Sequence, residues 1–206
     1  EGSHPLDAGF DEHFGIGSNF ALGVPETQRL YRGRSLVKEK TTYEELTELY
    51  TDEVVAFIER EKEGPFFVMM SHHIPHTPIL PSADFKGKTK LGLYADLILE
   101  LDHSTGRTLQ ALKDQGLDEN TLVVFTSDNG PAKGGSAGGL SGGKYVTMEG
   151  GHRVPSIFRW PGQIAEGSVS DTTVTSMDLL PLFCDLAGVE VPADRKIDGK
   201  NITNII

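Results

Sequence analysis

Apolar residues recur at three- and four-residue steps over 41–63, at Tyr43, Leu46, Tyr50, Val54, Phe57 and Ile58. That spacing gathers them on one face and predicts an amphipathic helix. Thr42 and Glu45 have the spacing of a capping box, and Gly64-Pro65 stops the helix. A second helix is expected over 89–115, where Tyr94, Leu97, Leu101, Leu109 and Leu112 share a face and Gly116 is placed for the C-cap. A third is expected over 176–187, with Ser176 as N-cap and Gly188 just past its end. Between these lie short runs that are apolar at consecutive positions: FFVMMSH at 66–72, TLVVFTS at 121–127 and VPSIFRW at 154–160. Such runs suit strands buried on both faces. Residues 1–40 lack sustained periodicity and are expected to form an irregular linker, with a basic, exposed YRGRSLVKEK stretch.

Strands alternating with helices predict an α/β sandwich, with helices around a largely parallel or mixed sheet, over residues 41–206. Ligands in such folds bind beyond the carboxyl ends of strands. Two polar segments fall there: His72–His76 after the first apolar run, and Asp128-Asn129 after the second.

Composition narrows the partners. The 206 residues are 37% hydrophobic and 24% charged, which fits a globular chain and excludes a fibrous or wholly disordered one. Nineteen Lys+Arg against 30 Asp+Glu give a formal charge of −11. Phosphate backbones and anionic bilayers require clustered cations, so neither nucleic acid nor membrane is an expected partner. No apolar run reaches bilayer-spanning length. The first twenty residues hold Asp7, Asp11 and Glu12 without an apolar stretch, so no signal peptide is expected there. The single cysteine, Cys184, excludes an intramolecular disulfide and reads as a packed thiol in the third helix.

The polar segments allow several chemistries. Asp128-Asn129-Gly130 offers a carboxylate and a carboxamide oxygen, hard ligands suited to Ca²⁺ or Mg²⁺ rather than Zn²⁺. On the tripeptide alone an Asx-type turn is the simpler reading, with Gly130 allowing a sharp turn. His72, His73 and His76 lack the spacing and fourth ligand of a structural zinc site. His76, on a Pro-fixed loop, suits either a proton donor to a leaving group or a loop hydrogen bond. Gly138, Gly143 and Lys144 match the start of a phosphate-binding P-loop, but Tyr145 stands where Ser or Thr must follow. A glycine loop that lets Lys144 meet an anion remains, beside a plain surface loop. Asp102 and His103 read as a solvated helix face, and Asn201-Ile202-Thr203 fits a glycosylation acceptor.

Taken in order, PFFVMMSHHIPHTP, LELDHSTGRTLQAL, LVVFTSDNGP, GGKYVTMEGGHRVPSIFRWPG and SMDLLPLFCDLAG resemble the formylglycine-dependent sulfatases of the alkaline phosphatase superfamily. PLDAGFDEHFG resembles the linker after the first half of their catalytic domain. The resemblance implies an α/β fold, a sulfate ester substrate and a divalent cation, usually Ca²⁺. It implies Asp128 and Asn129 as two metal ligands. It also implies His76 near the leaving oxygen and Lys144 on the sulfate group. An exported, periplasmic or lysosomal location is the usual one for such enzymes.

The sequence also departs from that family. It has no early aspartate pair, no Cys/Ser-x-Pro-x-Arg signature whose first residue becomes formylglycine, and no Gly-Lys-Trp-His segment. Cys184 is followed by Asp185-Leu186-Ala187. The chain therefore resembles the second part of a sulfatase catalytic domain. It is expected to be inactive alone, and to self-associate through an incomplete sheet. A phosphoesterase or phosphonate hydrolase of the same superfamily, and a non-catalytic metal- or anion-binding module, are the alternatives.

Overall fold

The structure, a computed structural model, describes residues 4–17, 27–132 and 134–206. The chain divides into two units. One comprises Glu1–Asp118 with Asn129–Arg153, the other Glu119–Asp128 with Val154–Ile206.

In the first unit, β1 (Phe14–Ile16), β2 (Thr27–Arg32) and β3 (Ser35–Thr42) form an antiparallel sheet in the order β1-β2-β3. Much of the segment expected to be irregular is thus ordered, while its residues 18–26 lie outside the described ones. β3 escaped notice because most of it is exposed and charged, so it shows no apolar alternation. A two-residue turn with Gly33 at φ +56° joins β2 to β3, and Arg29 pairs across the strands with Glu39 at 2.7 Å.

Helix α1 spans Leu46–Glu61 and begins five residues later than expected, because β3 runs on through Thr42. One arm of the expected capping box is present: the Thr42 amide donates to Glu45 Oε2 at 2.9 Å. Helix α2 spans Leu93–Asp114 and ends at Gly116, whose φ is +70°. There Gly116 N–H donates to the Lys113 carbonyl and Leu117 N–H to the Leu112 carbonyl, a Schellman-type stop. Leu30, Tyr43, Leu46, Ile74 and Leu97 form the core of this unit, flanked by Phe14, Ile16, Tyr50 and Leu101. Each fully buried leucine contributes about 1.5–3 kcal/mol. The helices also meet through a buried hydroxyl pair, Thr51 Oγ1 and Ser104 Oγ at 2.6 Å.

The expected strand at 66–72 is a correction. It pairs with no described strand, and Phe67, Val68 and Met69 are exposed, Met69 at 68%. An apolar run is buried on both faces only when strands flank it and layers cover it, and the described residues supply no flanking strand.

In the second unit, β4 (Val123–Thr126) pairs antiparallel with β5 (Ser156–Arg159), in the register Val123↔Arg159 to Thr126↔Ser156. Neither strand is buried on both faces, and Ile157 is 57% exposed. Helix α3 (Leu179–Ala187) ends at Gly188, with φ +67°. The expected Ser176 cap is displaced by one residue. Thr175 caps a 3₁₀ turn (Ser176–Asp178), with its N–H and Oγ1 both donating to Asp178 Oδ2. Cys184 is buried as expected.

The α/β class stands; every strand pair among the described residues is antiparallel, where a largely parallel or mixed sheet was expected. Parallel pairing needs two strands joined by a long crossover. The run after α1, best placed to supply one of them, finds no partner among the described residues.

Candidate functional site

The glycine-rich segment over 130–151 folds back on itself. Gly130 N–H donates to the Gly151 carbonyl at 2.8 Å, and Lys144 N–H donates to the Pro131 carbonyl at 2.9 Å. Gly150 N–H donates to the Ser141 carbonyl at 2.8 Å. Backbone meets backbone here: a Cβ on Gly130 would lie 1.9 Å from the Gly150 oxygen, and one on Gly151 would lie 2.0 Å from the Val146 oxygen. Gly130 therefore serves close approach rather than the sharp turn expected of it, since its φ is not in the left-handed region. The result ties Lys144 to a point two residues beyond Asn129. Because the Lys144 N–H is already engaged, only its side chain can meet an anion, and its ammonium lies 5.5 Å from the Tyr145 ring. Tyr145 has φ +75° and no helix starts there, so no P-loop forms.

His76 is held by a different clasp. The buried Tyr43 hydroxyl reaches the carbonyls of His73, at 3.0 Å, and of His76, while His73 Nε2 donates to the Tyr43 carbonyl at 2.9 Å. His76 Nδ1 lies 2.7 Å from the Thr77 carbonyl. A carbonyl only accepts, so Nδ1 carries the proton and Nε2 faces outward as an acceptor when neutral or a donor when protonated. No hydrogen bond among the described residues joins His76 to the glycine loop. The Lys144 backbone is thus tied to the segment just beyond Asn129, and His76 stands on its own loop in the same unit. Asp128 is exposed and ends the other unit's segment.

A cation was implied for this site. Asp128 and Asn129 are oxygen donors of the right kind, but two cannot fill a shell of about six. Among the described residues no group of three or more His, Cys, Asp or Glu side chains could hold a metal. The residues described here do not make a complete metal site, and no chemical step is derived through one. The three histidines are engaged separately, with His72 Nε2 3.4 Å from Ser104 Oγ.

His72 and His73 are structural and titrate abnormally. Burial pushes both imidazoles down to about 4. In the unfolded chain they titrate near 6.5. Between those values the unfolded state binds more protons, so stability falls as pH drops from about 6.5 to about 4. The expected loss over that window is on the order of 3 kcal/mol for each histidine, of which about 4 kcal/mol for the pair falls between pH 7 and pH 5. Urea unfolding at pH 7 and pH 5 checks it; equal stabilities would contradict the assignment, and His72→Gln should flatten the profile.

Several residues that shape this region were not singled out by the sequence reading. Asp96, 1% exposed, accepts from Gly87 N–H, Thr89 N–H and Thr89 Oγ1, each at 2.8 Å, and these bonds hold its carboxyl below the usual range. Glu100 accepts from Ser82 N–H at 3.0 Å, and burial raises its carboxyl. Together they pin the loop that leads from His76 to α2. A signal existed: 97, 100, 104 and 111 share the helical spacing of the buried face, which places Glu100 and Ser104 on it. Asp178 likewise accepts from Lys200 N–H at 2.7 Å.

The Sulfatase family model matches residues 4–189. The chain is 38% identical over 221 residues to N-acetylgalactosamine-6-sulfatase of Mus musculus, covering 97% of this chain and 42% of that protein. It is 38% identical over 189 residues to an arylsulfatase of Hemicentrotus pulcherrimus, covering 88% of this chain and 34% of that protein. A crystal structure of Ps i-CgsB in complex with k-i-k-neocarrahexaose superposes with a TM-score of 0.86 at 31% identity, over 98% of this chain and 51% of that one. The chain thus spans about half or less of each relative, yet the matched region takes in both the histidine loop and the glycine loop: it belongs to the sulfatase family.

Proposed function

We propose that this chain supplies the anion-holding and leaving-group side of a sulfuric ester hydrolase. The observation that carries the proposal is the backbone knot that fixes Lys144 beside the Asn129 segment, within a chain of the sulfatase family. A sulfate ester leaves as sulfate and an alcohol. The developing negative charge needs a fixed cation, and the departing oxygen needs a proton. Lys144 provides the charge. His76, its Nδ1 spent on Thr77, provides the proton from Nε2 when it is an imidazolium.

Asn129, with Asp128 one peptide bond earlier, supplies two ligands to a divalent cation, Ca²⁺ or Mg²⁺. Such a cation neutralises sulfate oxygens when bound. The remaining ligands and a formylglycine nucleophile come from outside these 206 residues. That part of the reading is supported by the 42% and 34% shares of the sulfatase relatives that the chain covers. An exported or lysosomal setting is part of the same proposal. No helix among the described residues is long and apolar enough to cross a membrane.

Two expected results follow. The purified 206-residue chain releases no sulfate from 4-nitrophenyl sulfate, whereas a longer protein that includes it does so, and prefers sulfate to phosphate monoesters. Measurable turnover by the chain alone would refute the division of labour. The chain alone also self-associates through the exposed Phe67–Met69 run, and a monodisperse monomer in sedimentation would contradict that.

A further inference from the structure

Three lysines, Lys86, Lys88 and Lys90, fall within five residues of the loop between His76 and α2. All three are exposed, and none forms an ion pair among the described residues. No acidic residue occurs between Asp84 and Asp96. In a chain of formal charge −11 this is a concentrated exception. Many other cations in this unit are already paired: Arg29, Arg32, Arg34, Lys38, Arg60 and Arg107 each meet a carboxylate.

The loop is also built rather than loose. The buried Asp96 carboxylate holds it from beneath through Gly87 and Thr89, and Glu100 holds its start through Ser82. Asp96 is satisfied by loop N–H and hydroxyl groups, so no lysine is needed to neutralise it. Beside the loop, Leu91, Tyr94, Ile98 and Leu99 line a shallow, mostly apolar groove of about 520 Å³, with Asp102 its one acidic lining residue. Leu91 is 85% exposed. Tyr94 also touches the glycine loop that ends in Lys144, within 4 Å of the positions a Cβ on Gly134 or Gly135 would take.

An apolar and aromatic floor beside three ammonium groups carried on a held loop suits a ligand with repeated anionic groups on a ring-built, partly apolar backbone. We propose that the Lys86–Lys90 loop and the Leu91–Tyr94 groove bind a sulfated polysaccharide, gripping sulfate groups other than the one being hydrolysed. The choice of ligand rests on the sulfate-ester reading above; the existence of an anion-binding loop does not. The consequence is a preference for polymeric over small aryl sulfates.

The test is direct binding of the full chain to fluorescein-labelled dextran sulfate, with uncharged dextran and single-stranded DNA as controls, across a salt series. The expected result is binding of dextran sulfate alone. K86Q/K88Q/K90Q should weaken it at least about tenfold near 0.1 M salt, with the salt slope reduced by about one per lysine removed. The corresponding triple arginine variant should retain binding, and all variants should melt alike. Unchanged affinity in the glutamine variant, or no binding by the wild type, overturns the proposal. Equal lysine-dependent affinity for DNA overturns the carbohydrate assignment. In the longer protein, the glutamine variant should leave 4-nitrophenyl sulfate turnover unchanged. If turnover is absent altogether while lysine-dependent binding persists, the hydrolase reading fails and this site stands.

Discussion

Replacing Lys144 by alanine in a catalytically complete form of this protein is expected to lower kcat for sulfate ester hydrolysis by about 10²–10³-fold, the range for removing one preorganised charge-stabilising group. The fall should exceed any change in KM, because the ammonium matters most as charge shifts onto the departing group. The fold should be indifferent. What anchors this position is its N–H on Pro131, at 2.9 Å, and alanine keeps that bond. Lys144→Arg should recover part of the rate, as it restores charge in a different shape. Steady-state kinetics with parallel thermal melts decide the matter. A loss confined to stability, or a kcat within threefold of wild type, would remove Lys144 from the chemistry.

Gly130→Ala is the second large effect, and it acts through backbone. The added methyl would sit 1.9 Å from the Gly150 oxygen and 2.8 Å from its carbonyl carbon. Neither atom belongs to a flexible side chain, and the same two loops are tied by the Gly130–Gly151 hydrogen bond of 2.8 Å. The loops must part. Overpacking of this kind costs about 1–3 kcal/mol, and displacing the Asn129 and Lys144 segments by about 1 Å is worth about 100-fold in rate. Gly106→Ala makes the same chemical change inside α2 with nothing within 4 Å of the new carbon, and should be neutral or stabilising by about 0.5–1 kcal/mol. If Gly130→Ala matches Gly106→Ala in melting temperature and activity, the knot is not what positions the site.

The helices were legible because each carries its own evidence: period, stop signal and a polar face. α2 and α3 both end at a glycine with positive φ, where the sequence placed the stop. The strands were less legible. An exposed charged strand such as β3 has no apolar alternation to read, and it is fixed by a turn and by cross-strand pairs. The run at 66–72 has the composition of a buried strand, yet composition does not provide neighbours. For the candidate site, residue identities were visible and their support was not. Nothing in the order of residues announces that the Tyr43 hydroxyl would hold the carbonyls of His73 and His76, thirty or more positions away.

The sequence by itself determined the helices, the acidic balance and the family resemblance, and from that resemblance it nominated Asp128, Asn129, His76 and Lys144 as the proposed site. Only the tertiary structure decided that Lys144 is tied to the Asn129 segment, that Gly130 is required for close approach, and that Asp96 and Glu100 lie buried beneath a lysine loop. The physical reason is the range of the forces involved. Helical period and capping act within four residues and are written locally. The hydrogen bonds and backbone contacts that orient the candidate site join residues from nine to thirty-three positions apart, well beyond one helical turn, and they form only as the folded chain brings those segments together.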